Sequence, residues 1–281
     1  MGGDDIESIV VRGRCDGMAS CSSGQALRGL GIVAEDDKEP YSWGGARLVD
    51  SRPMSESERM ARAQLSTDYQ RIMSDEYSGR WTSSNPGNHE ILLERDAVLT
   101  ALTTRVLSAR PLRVLDLGRG SLSILASSIQ VDVRIGIDLL MGRLIDLRAR
   151  DTVPTVNGDG AHLPFPDERF DVVVMSTMMT SVLSGDIRRS VACEVTRVLQ
   201  PGGAVLWYDM QMPNPKNSAT RAIRRAELRG LFPSFTGDIR SLTVVPLVAR
   251  RLGRLAPKAY AVLRLFPFMR SHIAACLLKP L

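Results

Sequence analysis

Cysteine, histidine and aromatic residues are all scarce in this 281-residue chain, with four Cys, three His and 5% aromatics. Cys15, Cys21, Cys193 and Cys276 are scattered, and no pair has the two- or four-residue gap that zinc sites favour. The expectation is reduced thiols and no metal, with a Cys15–Cys21 bridge as the only disulfide left open. No apolar run reaches the ~18 to 20 residues that a membrane span needs. The acidic start "MGGDDIESIVV" has too short an apolar run for a secretory signal, so a cytoplasmic protein is expected. Acids run out toward the other end. From Ala219 to Leu281, ten Arg and two Lys stand against Glu227 and Asp238. A solvated charged face is the plain reading, with RNA, anionic lipid or an acidic substrate as alternatives. One glycine is missing too. In "LRVLDLGRGSLSIL", residues 112–125, Gly118 and Gly120 are present, but Ser123 stands where a dinucleotide-binding turn has its last glycine. Such a turn suits a ligand without a pyrophosphate to seat.

What is present reads as α/β. Residues 1–57, rich in Gly, Ser and Asp, show no sustained period and are expected to form a disordered extension. A domain over 58–281 follows. Helical character runs from Ser55 to about Ser74, and "EYSGRWTSSNPGNHE" reads as a loop. Asn85 followed by Pro86 predicts a capped helix through Leu107. Strands then alternate with helices: "LRVLDLG", helix "SLSILASSIQ", "DVRIGID", helix "LMGRLIDLRAR", "TVPTV", "FDVVVMST", helix "DIRRSVACEVTRVLQ" closed by "PGG", and "AVLWYDM". Continuous apolar strands between helices predict a parallel sheet covered on both faces, with its ligand at the carboxyl ends of the strands.

Two carboxylates fit those strand ends. Asp138 closes the second strand, where a carboxylate can accept both hydroxyls of a ribose. Asp159, in "NGDGAHLPFPDERFD", follows the third strand, where it can meet the edge of an adenine. "VLDLGRG", "GID", "GDGAHLPFPDERFDVVV" and "EVTRVLQPGG", in this order, resemble class I S-adenosylmethionine-dependent methyltransferases, particularly the type 11 branch, over about residues 86–210. The resemblance implies a Rossmann-like, mostly parallel seven-stranded sheet with helices on both faces. It implies Asp116, Gly118 and Gly120 around the methionine end of S-adenosylmethionine, Asp138 and Leu139 at the ribose, and Asp159, Gly160 and Ala161 at the adenine. Ser176 would lie beside the ligand, and S-adenosylhomocysteine would be the product. The family usually keeps a glycine two positions after Gly120, where this chain has Leu122.

In that architecture the last two strands are antiparallel, and "IRSLTVV" and "SHIAACLL" are the candidates. Residues 246–267 between them form a helical lid insert, with apolar stripes beside Arg250, Arg251, Arg254, Lys258 and Arg264. A peripheral membrane helix is the minor alternative for this insert. Asp209 and His89 are the candidate bases, the first at the end of strand five and the second before strand one, with Asp209 alternatively capping the following loop or binding an Arg and His89 alternatively a surface or capping residue. His162 is expected to face solvent and His272 to be a strand residue. Arg80, Trp81, Asn85, Trp207 and Tyr208 are candidates for an acceptor pocket, with both tryptophans equally open to a role as core or lid anchors. The expected activity is methyl transfer to a hydroxyl or carbon of a small molecule, a secondary metabolite or glycan precursor, with no nucleic-acid partner. An RNA methyltransferase using the basic C-terminal part, or an inactive S-adenosylmethionine-binding protein, are the alternatives.

Overall fold

The computed structural model describes residues 83–104, 112–118, 130–140, 153–214, 217 and 219–281, besides six residues in three two-residue strands and the isolated Glu56 and Met60. The expected extension, the 55–74 helix and the helices "SLSILASSIQ" and "LMGRLIDLRAR" fall almost wholly outside these residues, as do Arg80, Trp81, Gly120, Leu122 and Ser123.

The main sheet contains β1 (Leu112–Leu117), β2 (Val131–Asp138), β3 (Thr155–Asn157), β4 (Phe170–Ser176), β5 (Leu199–Met210), β6 (Ile239–Val244) and β7 (Arg270–Leu278). Their spatial order is 3-2-1-4-5-7-6, and Val11–Arg12 pairs antiparallel with β3 at the edge. Strands β1 to β5 are parallel, while β7 runs antiparallel to β5 and to β6. Among the described residues, two helices precede the C-terminal region, α1 (Pro86–Thr103) and α2 (Gly185–Val198). They are followed by α3 (Arg225–Leu231), α4 (Pro246–Ala249) and α5 (Ala256–Leu263).

Alternate strand residues enter two cores, as the two-residue side-chain period requires. Val173, Met175, Val205, Trp207, Ile273 and Ala275 pack with Val191 and Val195 of α2 and Leu228 of α3. Val172, Val174, Leu206, Tyr208 and Ala274 pack with Leu99 and Leu102 of α1. Both faces of the central strands are therefore dry. That is why these strands read as continuous apolar runs.

Local chemistry sets the element ends. Asn85 caps α1, its Oδ1 accepting from Gly87 N at 2.9 Å and Asn88 N at 3.2 Å. Helix α2 ends earlier than its sequence suggests. Leu199 turns to extended geometry and pairs with Phe170, so "LQPGG" opens β5 instead of closing the helix. Gly202 takes φ +74° there. The candidate strands "IRSLTVV" and "SHIAACLL" form β6 and β7.

Candidate functional site

Because β1, β2, β3 and β4 are parallel neighbours, Gly118, Asp138, Asp159 and Ser176 fall in a row along one edge, where the strands end or have just ended. Gly118 has φ +69°, and its N–H donates to Ile137 O at 2.9 Å. A Cβ built there would lie 2.5 Å from Met178 Cβ. Glycine is thus required by both backbone conformation and close approach. Asp116, buried two residues earlier in β1, pairs with Arg134 of β2.

The two carboxylates are set by short backbone turns. Asp138 is 5% exposed, and its Oδ1 accepts from Leu140 N at 2.9 Å. Asn157 Nδ2 braces the same turn by donating to Asp138 O and Leu139 O, both at 3.0 Å. Asp159 Oδ1 accepts from Ala161 N at 2.9 Å, and its other oxygen lies 3.6 Å from His162 Nδ1. Gly160 sits against Leu117, with an added Cβ 3.2 Å from Leu117 Cδ1. Ser176 is half-buried beside Tyr208, and Thr177 next to it has φ +50°.

This edge offers carboxylates for hydroxyl and amine donors, and a close-approach glycine. That donor set fits a nucleoside carrying an amino-acid arm.

Behind the row stand residues that the sequence reading did not single out. Arg197 of α2 binds Glu194 and Asp167, and donates to Phe165 O at 2.7 Å and Leu163 O at 3.0 Å. Glu194 also accepts from Leu163 N at 2.7 Å. These bonds fasten the loop that carries Asp159. The i,i+3 spacing of Glu194 and Arg197 in "EVTR" was the available signal. Arg188, fully buried, donates to Val182 O and Arg221 O at 2.7 Å and binds Glu227 at 2.6 Å, tying the segments after β4 and β5 together.

On the β5 side the structure corrects several expectations. Trp207 is 0% exposed within the core, and its Nε1 has no hydrogen-bond partner among the described residues. Tyr208 is buried between layers, stacked on His272 with ring centroids 4.9 Å apart, and its hydroxyl pairs with Thr243 Oγ1 at 2.9 Å. Neither is an open pocket wall, because alternate residues of a central strand point into one core or the other. Asn85 is committed to capping α1, and its Nδ2 donates to Arg250 O at 3.3 Å. Asp209 is 1% exposed. It accepts from Thr180 N, Thr180 Oγ1 and Met210 N, a bracing arrangement and not that of a solvent-facing base. Burial pushes its carboxyl up to about 6, with the Thr180 and Met210 bonds opposing the shift. His89 is exposed in the first turn of α1. His272 is buried, which lowers its imidazole to about 3 and keeps it neutral.

The insert between β6 and β7 rises from this same edge, since Val244 pairs with Arg270 where β5 ends. Ala249 and Tyr260 pack on Ile91 of α1 and on Val244. Tyr260 OH donates to Glu94 at 2.7 Å, and Arg250 Nε to Asn88 at 3.0 Å. Tyr260 therefore holds the insert down and is not exposed to a ligand.

Residues 115–207 match the family described as methyltransferase domain. Among curated proteins, a demethylmenaquinone methyltransferase of Mycobacterium sp. (strain KMS) is 34% identical over 112 residues, 38% of this chain and 46% of that protein. The corresponding protein of Streptomyces griseus is 32% identical over 112 residues, 37% and 46% of the two chains. The chain thus spans less than half the length of these relatives. Among solved structures, the 1,6-didemethyltoxoflavin-N1-methyltransferase of Burkholderia thailandensis, with bound 1,6-didemethyltoxoflavin and S-adenosylhomocysteine, has a TM-score of 0.53 at 19% identity. The match covers 84% of this chain and all of that one. The N-methyltransferase NodS of Bradyrhizobium japonicum gives 0.50 at 14% identity, over 71% of this chain and 100% of the other. These structural likenesses show a shared fold.

Proposed function

We propose that this chain, which carries a class I S-adenosylmethionine-dependent methyltransferase domain, transfers a methyl group to a hydroxyl or carbon of a small molecule, a secondary metabolite or glycan precursor. The observation that carries this reading is the pair of turn-held carboxylates, Asp138 at the end of β2 and Asp159 just past the end of the neighbouring β3, beside the left-handed Gly118. When bound, S-adenosylmethionine supplies an electrophilic methyl group on a sulfonium.

The residues of the chain divide the remaining work. Asp138 would accept from ribose hydroxyls, Asp159 and the Ala161 region would meet the adenine edge, and Asp116 and Gly118 would border the amino-acid arm. Gly120 would complete that border. The segments after β4 and β5 are locked together by Asp209 and Arg188, and α1 with the insert, joined through Glu94 and Tyr260 beside the same edge, would limit access of water. Of the two candidate bases, exposed His89 is the better placed to take a proton from an acceptor hydroxyl, because Asp209 is sealed.

Calorimetry should give one-site binding of S-adenosylhomocysteine that is weakened in both Asp138→Ala and Asp159→Ala. Incubation with methyl-labelled S-adenosylmethionine and an acceptor panel should transfer label to a small hydroxylated or carbon-nucleophilic compound. Binding without transfer to any acceptor points to an inactive binder. Label in RNA, with steeply salt-dependent binding, points to the nucleic-acid reading.

A further inference from the structure

We propose that the insert between β6 and β7 docks the protein on the surface of an anionic lipid bilayer. The inward face of this insert is already filled. Ala249, Ala256 and Tyr260 are buried, Gly87 brings α1 so close that a Cβ there would lie 1.9 Å from Ala249 O, and Tyr260 is bonded to Glu94. Proline stands in the first turn of both α4 and α5, which stiffens the segment. Its outer apolar residues consequently have no core to turn into.

Those outer residues are numerous and large. Leu255 is 70% exposed, Val262 56%, Leu265 66% and Phe268 71%, with Phe266 and Leu247 each at 43%. Leu255, Lys258, Val262 and Leu265 follow helical spacing along one face, and the rings of Phe266 and Phe268 lie 5.6 Å apart at its end. A set of large apolar side chains exposed along one segment marks an interaction site.

Charge selects the occupant. Arg251, Arg254, Lys258 and Arg264 are exposed on the same segment, and none of the four forms an ion pair among the described residues. No Asp or Glu follows Asp238 in the chain. A second copy meeting this face about a two-fold axis would set cation against cation. RNA answers the cations but not the exposed Leu, Val and Phe. An anionic bilayer interface answers both, taking the apolar side chains at the headgroup boundary while the cations meet lipid phosphates. Among the described residues no helix is long and apolar enough to cross a membrane, so the contact is peripheral. Docking this way holds the sheet's carboxyl edge close to the bilayer.

The test is sedimentation of the full chain with vesicles of mixed phosphatidylglycerol and phosphatidylcholine against vesicles of phosphatidylcholine alone. Partitioning should be at least about tenfold stronger on the anionic vesicles and should weaken in high salt, since each cation near such a surface contributes roughly fivefold. Replacing Arg251, Arg254, Lys258 and Arg264 together by Gln should remove that preference. Leu265→Ser with Phe268→Ser should lower partitioning on both vesicle types, with thermal unfolding unchanged in either variant. Equal partitioning on the two vesicle types, or unchanged binding in both variants, would overturn the proposal. So would a concentration-dependent dimer, or salt-sensitive RNA binding, that the same substitutions abolish while no vesicle binding is seen.

Discussion

At the ends of β2 and β3, Asp138 and Asp159 each accept a hydrogen bond from the amide two residues ahead. Beside β6 the corresponding bonds come from far along the chain. Glu94 of α1 accepts from Thr243 N, 149 residues away, and from Tyr260 OH, 166 residues away. Thr243 itself has φ +67°, a left-handed conformation that is strained for a β-branched residue. It is held from three sides, by Glu94 at its N–H, Tyr208 at its hydroxyl and Ser271 at its carbonyl. One half of the carboxyl edge is thus set first by local turns, which Asn157 and Arg197 then brace from farther along the chain. The other half keeps its shape only while a tertiary network over-determines it. Substitutions in the two halves should fail differently: those in the first lose a ligand, and those in the second lose the fold around it.

The largest effect is expected at Glu94. Glu94→Ala removes the acceptor of a strand amide and of the buried Tyr260 hydroxyl, leaving the left-handed Thr243 without one of its three restraints. Urea denaturation should report a loss of about 3–4 kcal/mol. Next comes Gly87→Ala. Alanine raises helix propensity, but its Cβ would meet the carbonyl of Ala249 at 1.9 Å, and backbone cannot yield as a side-chain tip can. A net loss of about 2–3 kcal/mol is expected, with proteolytic cleavage of the insert appearing near Arg250 and Arg251. Unchanged protection of the insert would show that α1 does not hold it.

On the other half the expectation reverses. Asp138→Ala should leave unfolding within about 1 kcal/mol of the parent, since Asn157 still braces the turn through backbone carbonyls. Binding of S-adenosylhomocysteine should weaken by about 2 kcal/mol, a roughly thirtyfold rise in Kd. A large loss of stability with little change in Kd would place Asp138 in the scaffold and dissolve the contrast between the halves.

The same contrast explains what could be read from the sequence. Asp138, Asp159 and the Asn85–Pro86 start of α1 announce themselves because their turn and cap bonds come from amides two or three residues ahead. Gly118, β6 and β7 are legible as site and sheet elements only through the family resemblance, their shape depending on distant partners such as Met178 and Glu94. Trp207, Tyr208 and Asp209 were ambiguous for a physical reason. An end-of-strand position reads the same whether the side chain enters a pocket, a core or a polar clamp, and only long-range partners such as Thr180 and Thr243 decide. Arg188 gave no local sign at all, because its three partners, Val182 O, Arg221 O and Glu227, come from different loops and helices.

Asp209 supplies the smallest and most selective test of the tertiary half. Burial pushes its folded carboxyl from the ordinary 3.8 up to about 6, because it disfavours the charged form more than Thr180 and Met210 favour it. The folded state therefore binds the proton more tightly than the unfolded state. Its stabilising contribution is full below the unfolded value and is lost as pH rises through the folded one. His272 works in the opposite sense, since an imidazole lowered to about 3 by burial costs stability as pH falls below its ordinary value. Comparing the parent with Asp209→Asn cancels the histidine, which both proteins share. Asparagine keeps an oxygen for Thr180 Oγ1 and Met210 N but does not titrate. Relative to that variant, the parent should lose about 1 kcal/mol between pH 5 and pH 7 in denaturant titrations. A pH-independent difference would mean that the carboxyl is not perturbed and that its environment is wetter than the fold implies. A difference of the opposite sign would mean that Arg188 outweighs burial and stabilises the charged form, making Asp209 one end of an ion pair instead of a sealed brace.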